Sequence, residues 1–166
     1  VLVYGASGSV GVAAVQIAKH YGAEVTGVCS GANAELVKSI GADHVIDYKT
    51  EDFTQGGVEY DVVFETVAKG SFSDCVKVLK SDGVLLLGSV WKASWYVRAL
   101  WVSLTSSRKV VTGVALGKPE DMETIKSMIE AGSLNPMVDR TYPLEEMVEA
   151  HRYVDTGRKR GNVVIK

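Results

Sequence analysis

Apolar residues along this chain fall into two alternating patterns, short continuous runs and runs at helical spacing. Residues 1–4 are strand-like. Over 9–21, Val10, Ala13, Ala14, Ile17, Ala18 and Tyr21 sit at i, i+3, i+4, i+7, i+8 and i+11, one stripe of a helix that Gly22 stops. The alternation continues with a strand over 24–30, a short helix over 33–40 closed by Gly41, and strands over 44–47 and 61–67. A helix over 72–79, strands over 83–88 and 109–115, and a helix over 121–131 ending at Gly132 complete it. Strands alternating with helices imply right-handed crossovers and a parallel sheet. The strands are apolar on both faces, as expected when helices cover both sides. Asn135-Pro136 interrupts the pattern, and a helix over 143–156 and a strand over 161–166 follow. That tail either completes the sheet or belongs with a neighbouring domain.

The chain has 166 residues, 46% hydrophobic and 23% charged, enough to bury one core of ordinary size. Its net charge is −2 and its longest basic run is Arg158-Lys159-Arg160, which argues against a nucleic-acid surface. No apolar run approaches the roughly 20 residues of a membrane span, so no membrane role is expected. The two cysteines, Cys29 and Cys75, have neither metal spacing nor a disulfide framework. A reducing, cytoplasmic setting is the default expectation.

The candidate chemistry lies where the first strand meets the first helix. A strand, a turn of small residues and a helix build a phosphate site, because the N–H groups of a first helical turn are unpaired and partly positive. The usual fingerprint is G-x-G-x-x-G; here the aligned residues are Ala6, Ser7, Gly8, Ser9, Val10 and Gly11. Ala6 at the first position requires a turn that avoids φ > 0 there. Gly8 leaves room for a pyrophosphate, Gly11 lets the helix lie close to the strand, and Ser7 and Ser9 offer hydroxyl donors. The flanking strand and amphipathic helix supply the context that a bare glycine match lacks. An NAD site usually adds an acid at the end of the second strand, to hold the ribose 2′-OH. This chain has Val28-Cys29-Ser30-Gly31-Ala32-Asn33 and no acid. Ser30 and Asn33, neutral donors, favour NADP(H) over NAD(H). Lys38, a helical turn further on, reads as a solvated helix face.

The segments GASGSVGVAAVQIAK, IGADHVIDYKTEDF, YDVVFETV and LKSDGVLLLGS together resemble the quinone oxidoreductase-like branch of the medium-chain dehydrogenase/reductases. The resemblance runs from Val1 to Lys166. It implies a Rossmann domain over 1–134, a doubly wound parallel six-stranded sheet of order 3-2-1-4-5-6, with a C-terminal helix-strand tail over 135–166. The tail would return toward a preceding GroES-like catalytic domain that supplies much of the substrate site, so the chain reads as a cofactor-domain fragment, inactive alone. The resemblance also implies a homodimer. It assigns Ser30, Asn33 and Tyr48 to the adenosine 2′-phosphate. Thr66 and Val67 would line the cofactor crevice. Gly88, Ser89, Val114 and Ala115 would lie near the nicotinamide, and Arg158 near a phosphate. Asn33 stands where some relatives carry Lys. Tyr48 also reads simply as a half-buried tyrosine at a strand end.

The implied reaction passes hydride from the nicotinamide to a quinone, enone or related carbonyl. No residue of this chain is a convincing donor for the developing oxyanion. None of the seven tyrosines has Lys four residues later, which excludes the Tyr-x-x-x-Lys pair of short-chain dehydrogenases. His20, His44 and His151 are isolated, so no zinc set is visible. Three alternatives stay open: a zinc-dependent NAD alcohol dehydrogenase with its ligands upstream, a non-catalytic NADPH-binding or redox-sensing protein, and a methyltransferase-like domain. All three tryptophans fall in 91–104. Either a helix there buries Trp91, Trp95 and Leu100, or it presents an aromatic surface to a partner copy or the substrate pocket.

Overall fold

A computed structural model of the chain describes residues 1–88, 93–112 and 117–166. In chain order the elements are β1 (Leu2–Tyr4), α1 (Ser9–His20), β2 (Thr26–Cys29), α2 (Ala34–Ser39), β3 (His44–Asp47), β4 (Tyr60–Glu65) and α3 (Phe72–Lys77). They continue with β5 (Leu79–Leu87), α4 (Ala93–Thr105), β6 (Lys109–Thr112), α5 (Pro119–Glu130), β7 (Val138–Tyr142), α6 (Met147–Asp155) and β8 (Asn162–Ile165). The first six strands form one parallel sheet in the order β3-β2-β1-β4-β5-β6, the expected Rossmann arrangement.

The sheet divides two apolar clusters. β1 contributes to both: Leu2 and Val3 are adjacent, point to opposite faces and are both fully buried. One face gathers Leu2, Val63, Leu79 and Leu85 under Phe72 and Cys75 of α3 and Trp95 and Ala99 of α4. The other gathers Val3, Val25 and Cys29 under Val15 of α1 and Val37 of α2. Each buried Val, Leu or Phe among them contributes about 1.5–3 kcal/mol by leaving water. The Phe72 and Trp95 rings meet at 5.8 Å between centroids, inside the range of favourable aromatic pairs.

The stripe expected on α1 is not the buried one. Gly11, Val12, Val15 and Gln16 face the core, whereas Val10 and Tyr21 are exposed. Residues 10–15 read VGVAAV, so apolarity alone selects no face. Gly11 sets the phase, because only a residue without Cβ fits against the turn below. In α4, Trp95 and Ala99 are buried but Leu100 is 62% exposed, contrary to the core reading. Trp91 lies outside the described residues.

The tail does not extend the six-stranded sheet. β7 and β8 pair with each other in parallel, and a single bridge joins Gly161 to Gly8. β7 was not expected: its sequence, VDRTY, carries two charges and is mostly exposed, so it gives no apolar alternation. Gly161, at φ +73°, leaves no space for a Cβ against the Met137 carbonyl.

Candidate dinucleotide site

The C-terminal ends of β1, β2, β3 and β4 surround a cleft of about 450 Å³. It opens beside β1 and β4, where the chain's crossovers change direction and where open α/β sheets bind their ligands. A cavity of about 600 Å³ at the opposite ends of the strands, lined by Val1, Thr26, His44 and Tyr60, faces away from the α1 N-terminus.

The turn after β1 is built by glycines that each solve a different steric problem. Gly5, not Ala6, takes the left-handed conformation, at φ +88°. A Cβ on Gly5 would lie 2.5 Å from Thr66 Oγ1 and 2.7 Å from Val67 Cγ1, so the turn packs directly on the end of β4. Ala6 is fully buried, and its N–H and that of Gly5 both donate to the Val28 carbonyl at 3.0 Å. Gly8 caps α1 with no side-chain hydrogen bond, which leaves the first-turn N–H groups without a side-chain acceptor. A Cβ on Gly11 would overlap the Gly5 carbonyl and come within 2.7 Å of Ala6 Cα. The close helix–strand approach expected of Gly11 is present. Ser7 Oγ accepts from Asn33 Nδ2 at 3.0 Å and keeps its own proton to donate. Ser9 differs from expectation, because its hydroxyl donates to the Gly161 carbonyl at 2.8 Å and is not free. Val10 is exposed on the outer side of α1.

Ser30, Asn33 and Tyr48 come together on the cleft wall at the ends of β2 and β3, with Tyr48 51% exposed. On the other side, Thr66 donates both its N–H and its hydroxyl to the Tyr4 carbonyl, at 3.1 and 2.8 Å. Val67 and Lys69 line the cleft. Their loop is held by Glu65, which is fully buried at the end of β4. Its carboxylate accepts the N–H groups of Val67 at 3.2 Å, Ala68 at 2.8 Å, Lys69 at 3.2 Å and Gly70 at 3.5 Å. Ala68 adopts φ +53° to turn its N–H inward. Burial first, and then the charges of Cys75 and Glu65, raise the pKa of the Tyr4 phenol. Burial also pushes the Cys75 thiol up to about 12, with Glu65 adding to it. Gly88 follows β5 and donates to the Glu65 carbonyl at 2.8 Å. Ser89, Val114 and Ala115 lie outside the described residues.

The tail supplies a cation. Lys159 lines the cleft, and its Nζ donates to Ser9 Oγ and to the Gly161 carbonyl. Burial lowers its pKa. Arg158, the expected tail contact, is exposed and does not line the cleft. The Gly161 N–H donates to the Ser7 carbonyl at 2.9 Å, which ties the tail to the turn. Gln16 fastens a second point: Nε2 donates to the Asn135 carbonyl at 2.9 Å, and Oε1 accepts the Asn135 N–H at 2.7 Å.

The profile of the family described as zinc-binding dehydrogenase matches residues 40–165. The chain belongs to the medium-chain dehydrogenase/reductase family. It is 35% identical over 171 residues to the 2-methylene-furan-3-one reductase of Solanum lycopersicum, covering 99% of this chain and 39% of that protein. It is 33% identical over 171 residues to the NADPH-dependent alkenal/one oxidoreductase of Arabidopsis thaliana, a chloroplastic protein, covering 99% and 40%. Among solved structures, the quinone oxidoreductase from Coxiella burnetii superposes with a TM-score of 0.87 at 27% identity, over 99% of this chain and 51% of that one. The chain thus spans about two fifths to one half of the relatives it matches.

Among the described residues no three His, Cys, Asp or Glu side chains cluster to hold a metal ion, so these residues do not fit the zinc in the family's description. The turn has the features of a dinucleotide site: a Cβ on Gly8 would meet only the Gly5 carbonyl oxygen, at 3.5 Å, the first-turn amides have no side-chain acceptor, and Lys159 stands at the edge. Sequence reasoning missed Gly5, Glu65, Lys69 and Lys159. Gly5 and Lys159 each adjoin a residue it did name. Glu65 gave no signal, since a lone acid at a strand end reads as a solvated one. Among the described residues no helix is long and apolar enough to cross a membrane.

Proposed function

We propose that this chain is the cofactor-binding part of an NADPH-dependent oxidoreductase that reduces a quinone, enone or related carbonyl compound. The observation that carries the reading is the cleft itself: a glycine turn and helix N-terminus facing Lys159, at the switch point of a parallel sheet. Gly8, the first-turn amides around Ser9, Val10 and Gly11, and Lys159 hold the pyrophosphate. Ser7 adds its free hydroxyl proton. Ser30, Asn33 and Tyr48 surround the adenosine ribose and its 2′-phosphate, and the missing acid after β2 favours NADP(H) over NAD(H). Thr66, Val67 and Gly88 flank the nicotinamide end, and Arg158, exposed outside the cleft, adds long-range positive charge. When bound, the nicotinamide supplies the hydride; the residues of this chain bind it, orient it and exclude water from one side. The names of the two relatives, a furanone reductase and an alkenal/one oxidoreductase, support an unsaturated carbonyl as acceptor.

Residues 1–134 form the nucleotide-binding domain in this reading, and 135–166 return toward a preceding GroES-like domain that completes the substrate site. Two buried, unbridged cysteines suit a reducing compartment such as the cytosol. The test is a titration of the chain with NADPH and NADH at fixed salt, followed by tryptophan quenching. Binding of NADPH more tightly than NADH is expected. A mixture of chain, NADPH and a quinone is expected to show no oxidation until the preceding domain is joined to it. Equal rates without that domain would overturn the division of labour. Failure of Gly8→Asp to weaken binding would remove the assigned phosphate site.

A further inference from the structure

The corner at the ends of β2 and β3 holds a charged group that the function above does not use. Asp47 closes β3, and its carboxylate reaches across to the turn that follows β2. A Cβ on Gly31 would lie 2.5 Å from Asp47 Oδ2, so only glycine leaves that oxygen its place. Oδ1 accepts the Lys49 N–H at 3.0 Å. Among the described residues no lysine, arginine or histidine side chain forms a salt bridge with Asp47. The charge is felt at the cleft: the Cys29 thiol is pushed up to about 11, by burial first and by Asp47 second. Cys29, Ser30, Asn33 and Tyr48 all line the cleft at this corner. Asn33 already gives one amide proton to Ser7 Oγ. One Asn33 amide proton therefore remains, beside the Ser30 and Tyr48 hydroxyls, to meet a phosphate.

We propose that Asp47 sets the ratio of NADPH to NADH binding, by opposing a phosphate on the adenosine 2′-oxygen. This rests on the dinucleotide reading of the cleft. An acid that discriminates at the ribose ordinarily stands at the end of the second strand. Here the β2 end is neutral, and the Gly31–Asp47 contact brings a carboxylate to the same corner from the third strand. A 2′-phosphate carries nearly two negative charges at neutral pH, so one nearby carboxylate opposes it across a partly solvated gap. NADH has no charge at that atom and does not feel the difference. The preference for NADPH is then narrower than Ser30, Asn33 and Tyr48 alone would make it.

The test uses Asp47→Asn, which keeps the Oδ1 acceptor for Lys49 and removes only the charge. Wild type and variant are titrated with NADPH, NADH, 2′,5′-ADP and 5′-AMP at two salt concentrations. The variant is expected to bind NADPH and 2′,5′-ADP about tenfold more tightly, with the gain shrinking at high salt. NADH and 5′-AMP affinities should stay where they were. Gly31→Ala, whose methyl group displaces the carboxylate while leaving Asp47 in the chain, should move the ratio in the same direction. If wild type binds all four probes and neither variant shifts the ratio, the assignment of Asp47 is overturned and the dinucleotide site stands. If wild type binds none of them, the dinucleotide reading falls and takes this proposal with it.

Discussion

At the scale of single residues, the site depends on groups whose roles are steric or electrostatic rather than chemical. Gly11 and Gly22 make a useful pair. A methyl group on Gly11 strikes backbone atoms of Gly5 and Ala6 that have no room to retreat, although the backbone of Gly11 itself is ordinary. Gly22 has φ +77° and open space around its Cβ position. Gly11→Ala should therefore cost about 3 kcal/mol through overpacking, and Gly22→Ala about 1 kcal/mol through backbone conformation alone. Thermal unfolding followed by circular dichroism should order them so; the reverse order would mean that the turn is looser than its contacts indicate. Glu65 is the other sensitive position. Glu65→Gln replaces one acceptor oxygen with a donor that faces backbone N–H groups. It should destabilise the chain by about 2 kcal/mol and weaken NADPH through disorder of the Val67–Lys69 edge. A variant as stable as wild type would show that this loop holds itself.

At the scale of elements, the site is completed by the segment leading into the last strand rather than by the Rossmann sheet alone. Lys159 reaches the turn only because β8 docks through Gly161 and because Gln16 clamps Asn135. A lysine whose pKa burial has lowered loses its charge earlier as pH rises. A bound pyrophosphate favours the charged form and so raises that pKa. The contribution of Lys159 to affinity is accordingly complete below the lowered pKa of the free protein, and is lost as pH climbs above it. Dissociation constants for NADPH should rise more steeply with pH in wild type than in Lys159→Arg, whose guanidinium stays charged. Lys159→Ala should weaken NADPH about tenfold at neutral pH. A flat wild-type profile would detach Lys159 from the phosphate.

The same elements show what the sequence made legible. Six strands and their order followed from alternation and resemblance, because parallel strands buried on both faces are uninterrupted apolar runs. The phosphate turn was legible because strand, small residues and helix occur in register there. The buried face of α1 was not, since six consecutive apolar or glycine positions carry no phase. β7 was invisible because among the described residues it pairs with β8 alone and most of it is exposed. Glu65 and Lys159 were missed for a common reason: a charged residue announces itself as exposed, and only the fold reveals four amides around one and a helix N-terminus beside the other.

At the scale of the whole molecule, the outer face of α4 calls for an occupant. Val97, Trp101 and Leu104 are 70%, 68% and 74% exposed, beside a groove of about 500 Å³ whose walls include Phe72 and Val76. Trp95 and Ala99 anchor the opposite side of the same helix in the core. The helix is therefore held firmly while it presents apolar surface to water, the arrangement of a protein contact rather than of a loose segment. The expected occupant is a second copy, in the homodimer that the resemblance implies. Sedimentation of the chain over a wide concentration range should show a dimer that Trp101→Glu dissociates without lowering the melting temperature, since this indole adds nothing to the core. The second measurement gives the test its force. A monomeric wild type that melts unchanged would assign the face to another part of the full-length protein. Wild-type dimers that survive Trp101→Glu would move the contact off α4 altogether.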